Sequence, residues 1–188
     1  ILIASELLST GKNRTGQLFG NITGVPPIEV VILGAGTVGE FAARTALGLG
    51  ASVRVFDNSI SKLRNLQTRV SQQLYTSTIQ PKYLLKALMR YDVAIGALAG
   101  ESRAPVVVSQ TMVENMKEGS VIIDVSIDMG GCFETSEITS HDKPTFTKLG
   151  VTHYCVPNLP SRYSKTASIS LSNMFTPYLL QIAEEGGI

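Results

Sequence analysis

The stretch Val30-Val31-Ile32-Leu33-Gly34-Ala35-Gly36-Thr37-Val38-Gly39 decides the fold. Four apolar residues predict a strand. They run directly into Gly-x-Gly-x-x-Gly, and a helical pattern starts at once behind it. Gly34 permits the tight turn off the strand, Gly36 lets backbone approach a pyrophosphate, and Gly39 lets the helix lie close on the strand. Phosphates would then rest on the N–H groups at the helix start, where the dipole favours negative charge. Glycine-rich strand-to-helix turns also serve plain packing, so the context has to decide. Val53–Phe56 predicts the next strand and ends on Asp57, with Asn58 beside it. An acid about 20 residues beyond the first glycine is expected to hold the adenosine ribose hydroxyls.

Outward from this unit, strands and helices alternate. Ile1 to Leu8 predicts a short helix, and Ser9 to Pro27 a linker rich in Gly, Asn and Thr. Pro26-Pro27 forces an extended approach to the first strand. The first crossover helix is expected over Thr37–Leu49, with Phe41, Ala42, Thr45, Ala46 and Leu49 on one face and Gly50 as its stop. Ser61 is expected to cap a second helix through Leu63, Leu66 and Val70. Gln73–Thr76 reads as a weak strand, and Pro81 opens a helix through Leu84, Leu85 and Leu88. Val93–Ala97, Val121–Asp124 and Thr152–Val156 complete six strands. Ser109 opens a helix stopped by Gly119, and a final helix runs from Ala167 to Glu184 across Pro177.

Apolar strands alternating with helices predict a parallel sheet covered on both faces, a doubly wound α/β fold of the Rossmann type. The expected organisation is a leading helix and linker over 1–28, a Rossmann core over 29–166 and a C-terminal helix over 167–188. The ligand belongs at the carboxyl ends of the strands.

Three segments fall on that edge. Gly96-Ala97-Leu98-Ala99-Gly100 is small enough for backbone to pass close to a ligand, or is an ordinary turn. Val125-Ser126-Ile127-Asp128-Met129-Gly130-Gly131 follows Asp124; read as a strand, Asp124 and Asp128 share a face, one structural and the other facing the ligand. Pro157-Asn158-Leu159-Pro160 either holds the Asn158 amide in a fixed pose or is a plain loop.

The 188 residues fit one domain with a proper core. A net charge of +1 without basic runs gives nucleic acid no electrostatic footprint. No apolar run approaches the ~18 residues of a membrane span, and no signal peptide is visible. Cys132 and Cys155, with His141 and His153, do not form a zinc pattern and read as free thiols of a reducing cytoplasm. The opening Ile1 suggests a piece excised from a longer polypeptide.

The chain resembles the alanine dehydrogenase family over nearly its whole length. The resemblance is carried by the Gly34–Gly39 run, Val55-Phe56-Asp57, Ala104-Pro105 and Gly119–Asp124. It continues through Ile127-Asp128-Met129-Gly130-Gly131-Cys132-Phe133-Glu134-Thr135-Ser136, His141–Thr145, Tyr154–Pro160 and Leu171-Ser172-Asn173. It implies an NAD-binding domain of an enzyme interconverting L-alanine and pyruvate with ammonia. Thr37 and Val38, with Ala35 in the same loop, would face the pyrophosphate; Asp57, Asn58 and Lys62 the adenosine ribose; Leu98 and Ala99 the nicotinamide ribose. Val125, Asp128, Asn158 and Leu159 would surround the nicotinamide, with Ser5 approaching from the leading helix. Asp128 would carry the chemical role. With Asp57 and no following arginine, NAD is favoured over NADP.

Proton-translocating transhydrogenases share the family, but usually carry a Gln-Asn-Gly-Gly type sequence where this chain has Asp128-Met129-Gly130-Gly131. A non-catalytic NAD-sensing module is the alternative outside catalysis. The resemblance further implies that the substrate lysine and histidine lie in a separate catalytic domain absent from this chain, and that the whole protein is a homo-oligomer. The Gly100-Glu101-Ser102-Arg103 loop departs from the family's Pro-Gly-x-Lys.

Overall fold

The computed structural model describes residues 1–10, 15–70 and 73–185. Linker residues 11–14 and the last three residues of the expected terminal segment lie outside them. Contacts divide the chain into two compact units, Ile1–Pro157 and Asn158–Ile188.

The first unit is built on seven strands: β1 (Glu29–Leu33), β2 (Ser52–Phe56), β3 (Tyr75–Ser77), β4 (Val93–Gly96), β5 (Val121–Asp124), β6 (Thr145–Lys148) and β7 (Val151–Tyr154). Their order in the sheet is β3-β2-β1-β4-β5-β7-β6, all parallel except the β6–β7 hairpin. Strand order reverses between β1 and β4, which makes the crevice at their carboxyl ends the expected ligand position. β1, β4 and β5 are buried on both faces apart from half-exposed Glu29, the pattern of a sheet sandwiched between layers.

Among the described residues five α-helices accompany the sheet: α1 (Leu2–Thr10), α2 (Thr37–Gly48), α3 (Ile60–Arg69), α4 (Pro81–Leu88) and the short α5 (Gln110–Glu114). On one side of the sheet Val31, Leu33, Phe56, Leu84, Leu88, Ile122 and Phe133 belong to a common core cluster. The second unit holds a 3-10 turn (Leu159–Tyr163) and α6 (Ser164–Glu184), a 21-residue helix with Pro177 inside it and no buried residue.

Several expectations need correction. The sheet has one strand more than the six expected: β6 is an antiparallel edge strand. The buried face of α2 is Gly39, Ala43, Ala46 and Leu47. Phe41 is 66% exposed and Thr45 is also exposed, because the close approach of α2 to β1 at Gly39 turns the Ala43–Leu47 side of the helix to the sheet. Ser59, not Ser61, caps α3, its hydroxyl accepting the Lys62 N–H at 3.4 Å. Ser61 instead hydrogen-bonds the Ser59 hydroxyl at 2.9 Å. The weak strand sits at Tyr75–Ser77, two residues later than Gln73. α5 ends at Glu114, well before Gly119, and α6 starts at Ser164 rather than Ala167. Gly50 follows the Leu49 C-cap at φ +83°, as a stop should.

Candidate functional site

The glycine run folds as its spacing demands. Gly34 leaves β1 at φ +114°, and a Cβ there would strike the Ala97 carbonyl; a Cβ on Gly39 would strike the Gly34 carbonyl. These two glycines therefore serve packing, one against the β4 loop and one between α2 and β1. Gly36 differs: a Cβ there would meet nothing within 4 Å. Its open side lies at the start of α2, whose N-cap makes no side-chain hydrogen bond. Thr37 and Val38 are exposed beside it. With Gly36 as its N-cap the helix start has no side chain over its N–H groups, and the open space beside Gly36 leaves them accessible to an anion, so the loop fits a pyrophosphate. Glu40, in the same helical turn, would oppose an anion. Hydrogen bonds from Arg69 at 3.0 Å and Arg44 at 2.9 Å hold its carboxylate below the usual range and offset its charge.

Asp57 follows β2 and is only 8% exposed. Its Oδ2 accepts the Ala35 N–H at 2.8 Å and its Oδ1 the Ser59 N–H at 2.7 Å. The same carboxylate thus braces the glycine loop and the start of α3. Each oxygen keeps a second lone pair for a ribose hydroxyl. Asn58 accepts the Ile79 N–H at 3.2 Å through Oδ1, and exposed Lys62 lies in the first turn of α3. No arginine follows Asp57 in the turn to meet a 2′-phosphate.

The other strand tips converge on the same edge. The Gly34 N–H donates to the Phe56 carbonyl at 2.7 Å and the Ala97 N–H to the Leu33 carbonyl at 2.7 Å. The Ser126 hydroxyl donates to the Leu98 carbonyl at 2.8 Å. β1, β2, β4 and the segment after β5 are therefore laced together at their carboxyl ends. Leu98 is half-buried against the core, and Ala99 is exposed at the lip.

Asp124 and Asp128 do not share a strand face. β5 stops at Asp124, and Val125–Met129 forms a 3-10 turn closed by Gly130 at φ +90°. Asp124 points inward and is 2% exposed. Asp128 is exposed, one turn further, and Val125 is half-buried. The reason is local: the Asp124 side chain caps the turn by accepting the Ser126 N–H at 3.0 Å, which bends the chain out of the strand. In sequence Asp124 carries one signal of this role, a carboxylate ending a buried strand before a turn.

Both thiols lie near this carboxylate. Cys132 Sγ donates to Asp124 Oδ1 at 3.8 Å and Cys155 Sγ to the Ser136 hydroxyl at 3.6 Å. Burial, then the Asp124 charge, pushes the Cys132 thiol well up, and burial raises Cys155 to about 11. Among the described residues no group of His, Cys, Asp and Glu could hold a metal ion.

Ser5 is half-buried in α1, the helix packed against β5. Asn158 and Leu159 open the second unit, where Asn158 adopts a left-handed conformation (φ 49°, ψ 51°) and its carbonyl accepts the Ser161 N–H at 2.9 Å. A separate cleft of about 710 Å³ lies at the amino ends of the strands, lined by Pro26, Pro27, Glu29, Arg90, Asp92 and Lys117 among others. None of the expected site residues lines it, and its charges are internally paired, Arg90 with Glu29 and Lys117 with Asp92, each at 2.8 Å.

Known proteins are similar to this chain in sequence and fold. The family described as "Alanine dehydrogenase/PNT, C-terminal domain" matches residues 1–188. The chain is 42% identical to an alanine dehydrogenase of Mycobacterium tuberculosis over 97% of this chain and 49% of that protein. It is 41% identical to one of Bacillus subtilis over 99% of this chain and 50% of that one. A solved L-alanine dehydrogenase superposes with a TM-score of 0.93 at 39% identity, over 99% of this chain and 52% of that one. A transhydrogenase from Sinorhizobium meliloti gives 0.73 at 25% identity, covering 85% and 46%. The chain spans about half the length of the curated relatives it matches. It belongs to the family of alanine dehydrogenase/PNT C-terminal domains.

Proposed function

We propose that this chain is the NAD-binding half of an alanine dehydrogenase, a protein that converts L-alanine, NAD and water to pyruvate, ammonia and NADH. The observation that carries the cofactor assignment is the open Gly36 at the uncapped start of α2, with Asp57 bonded to the same loop through Ala35. Thr37 and Val38 offer backbone N–H groups to the pyrophosphate, and Asp57 accepts from the adenosine ribose with Asn58 and Lys62 alongside. Leu98 and Ala99 border the nicotinamide ribose. Val125 and Ser5 border the nicotinamide, a role the resemblance also gives to Asn158 and Leu159. Asp128 orients the ribose and substrate and takes part in proton movement at its carboxylate. When bound, the nicotinamide supplies the hydride acceptor; the chain supplies binding, orientation and electrostatics.

The alanine assignment rests on the relatives at about 40% identity, which favour it over transhydrogenation at 25%. The amino-acid or keto-acid substrate is bound by the remainder of the full-length protein. No described helix is long and apolar enough to cross a membrane. We place the full-length protein in the cytoplasm and read it as a homo-oligomer; analytical ultracentrifugation tests the oligomeric state.

The isolated chain is expected to bind NAD(H) and to turn over little or no alanine, whereas the full-length protein does both. Calorimetry with NAD, together with NADH formation on adding alanine, tests this. Robust turnover by the chain alone overturns the division of labour.

A further inference from the structure

Asp124 is a buried carboxylate with no cation against it: the ion pairs among the described residues involve Glu29, Glu40, Asp92 and Glu137. Its needs are met by neutral donors. The Ser126 N–H reaches Oδ1 at 3.0 Å, the Cys132 N–H reaches Oδ2 at 3.0 Å, and the Ser136 hydroxyl reaches Oδ2 at 2.7 Å. Space is reserved for it. A Cβ on Gly96 would come within 2.6 Å of Oδ1, and one on Gly131 within 2.7 Å of Oδ2. Gly131 is moreover held at φ +77°, so two independent constraints keep a side chain away.

The placement of the donors matters more than their number. Ser126 begins the turn that carries Asp128, and Cys132 immediately follows its closing glycines. One carboxylate therefore fastens both ends of the segment 125–131. Between the fastened ends the turn closes on itself, the Gly130 and Gly131 N–H groups donating to the Ile127 and Ser126 carbonyls at 2.9 and 3.0 Å. The outer side of the loop is tied through Ser126 to Leu98 and through the Ala104 N–H to the Met129 carbonyl at 2.9 Å. Between these tethers Asp128 is exposed.

We propose that Asp124 is a positioning residue of the cofactor site: buried and out of reach of any ligand, it sets the geometry of Asp128 and of the Leu98–Ala99 backbone. The proposal rests on the reading of the chain as the NAD half of an alanine dehydrogenase. An amide at this position would present N–H groups to the Cys132 N–H or the Ser126 N–H, so Asp124→Asn should reset the turn while changing little in volume. A residue that acts through Asp128 should lose its effect once Asp128 is gone, whereas independent contributions multiply.

The test is a double-mutant cycle in the full-length protein, with Asp124→Asn, Asp128→Asn and both together. Asp124→Asn is expected to lower kcat about 100-fold and to weaken NADH, followed by its fluorescence, about tenfold. In the Asp128→Asn background it should lower kcat less than about threefold. Full multiplication of the two losses, or an unchanged kcat in Asp124→Asn, overturns the proposal. Should Asp124→Asn fail to fold, Ser136→Ala takes its place, with an expected tenfold loss of kcat that likewise shrinks below threefold in the Asp128→Asn background; a loss that persists overturns it. A wild-type protein that binds NADH but oxidises no alanine refutes the functional reading alone. NADH affinity then decides the positioning claim, and an Asp124→Asn protein with wild-type affinity refutes it.

Discussion

The Ala35 N–H donates to Asp57 Oδ2 at 2.8 Å, so the tip of the second strand holds the glycine loop behind the first. A residue expected to bind ribose is thereby also a structural brace. Asp57→Ala should leave the buried Ala35 N–H unsatisfied and cost about 1–3 kcal/mol of stability. It should also weaken NAD at least about tenfold. Urea denaturation and calorimetric titration measure the two effects separately; a variant with unchanged stability contradicts the brace.

The glycines of the loop should separate by role. Gly39→Ala places a methyl group on the Gly34 carbonyl, where backbone cannot yield, and is expected to destabilise by about 3 kcal/mol or more. Gly36→Ala meets open space and should cost only about 1 kcal/mol, the difference between glycine and alanine at an N-cap. Its loss should fall on NAD affinity instead. Thermal melts with and without NAD distinguish the variants, and equal destabilisation by both contradicts the assignment.

His153 sets a pH limit on stability. It is fully buried and stacked on Phe146 with centroids 4.8 Å apart. A carbonyl can only accept, so Nδ1–H donates to Val151 O at 3.0 Å and Nε2 accepts from the Thr135 hydroxyl at 2.8 Å. Burial, with a smaller push from Lys148 and opposed by the Val151 carbonyl and Glu137, lowers its pKa below the ordinary 6.5. The unfolded chain then takes up a proton that the folded chain resists. Stability is complete above 6.5 and is lost as pH falls below it. Urea midpoints should drop between neutral pH and about pH 5 in the wild type. His153→Gln, although less stable at neutral pH, should show a shallower slope; an equal slope assigns the loss to other groups.

Cys132 and Cys155 should be silent toward thiol reagents in the native protein. Both are buried and both thiols are held above their ordinary range, so little thiolate forms near neutral pH. Ellman's reagent should register two thiols only after denaturation. Rapid reaction of either one in the folded protein contradicts the packing around Asp124.

Where sequence was informative, the reason is that a local pattern and its tertiary role coincide. Val30–Gly39 spells strand, turn and helix by residue type, and Asp57 sits where the turn off β2 must fall. The β6 strand was illegible because Thr145–Lys148 is a half-exposed antiparallel edge whose pattern is set by its partner β7, not by burial. The α2 face departs from its apolar pattern because Phe41 is exposed while Gly39, Ala43, Ala46 and Leu47 are buried. The opposite fates of Asp124 and Asp128 depend on donors at 126, 132 and 136, contacts that spacing along the chain does not reveal.

The central claim is that this chain presents NAD to alanine with Asp128 at the point of chemistry. Its most direct test is the rate of NADH formation by the full-length protein with L-alanine and NAD, for the wild type and for Asp128→Ala. The account predicts ready turnover by the wild type and a loss of about 100-fold or more in kcat on substitution, the size of a positioned acid–base group. NADH affinity should change far less. An Asp128→Ala protein that oxidises alanine at the wild-type rate would contradict it.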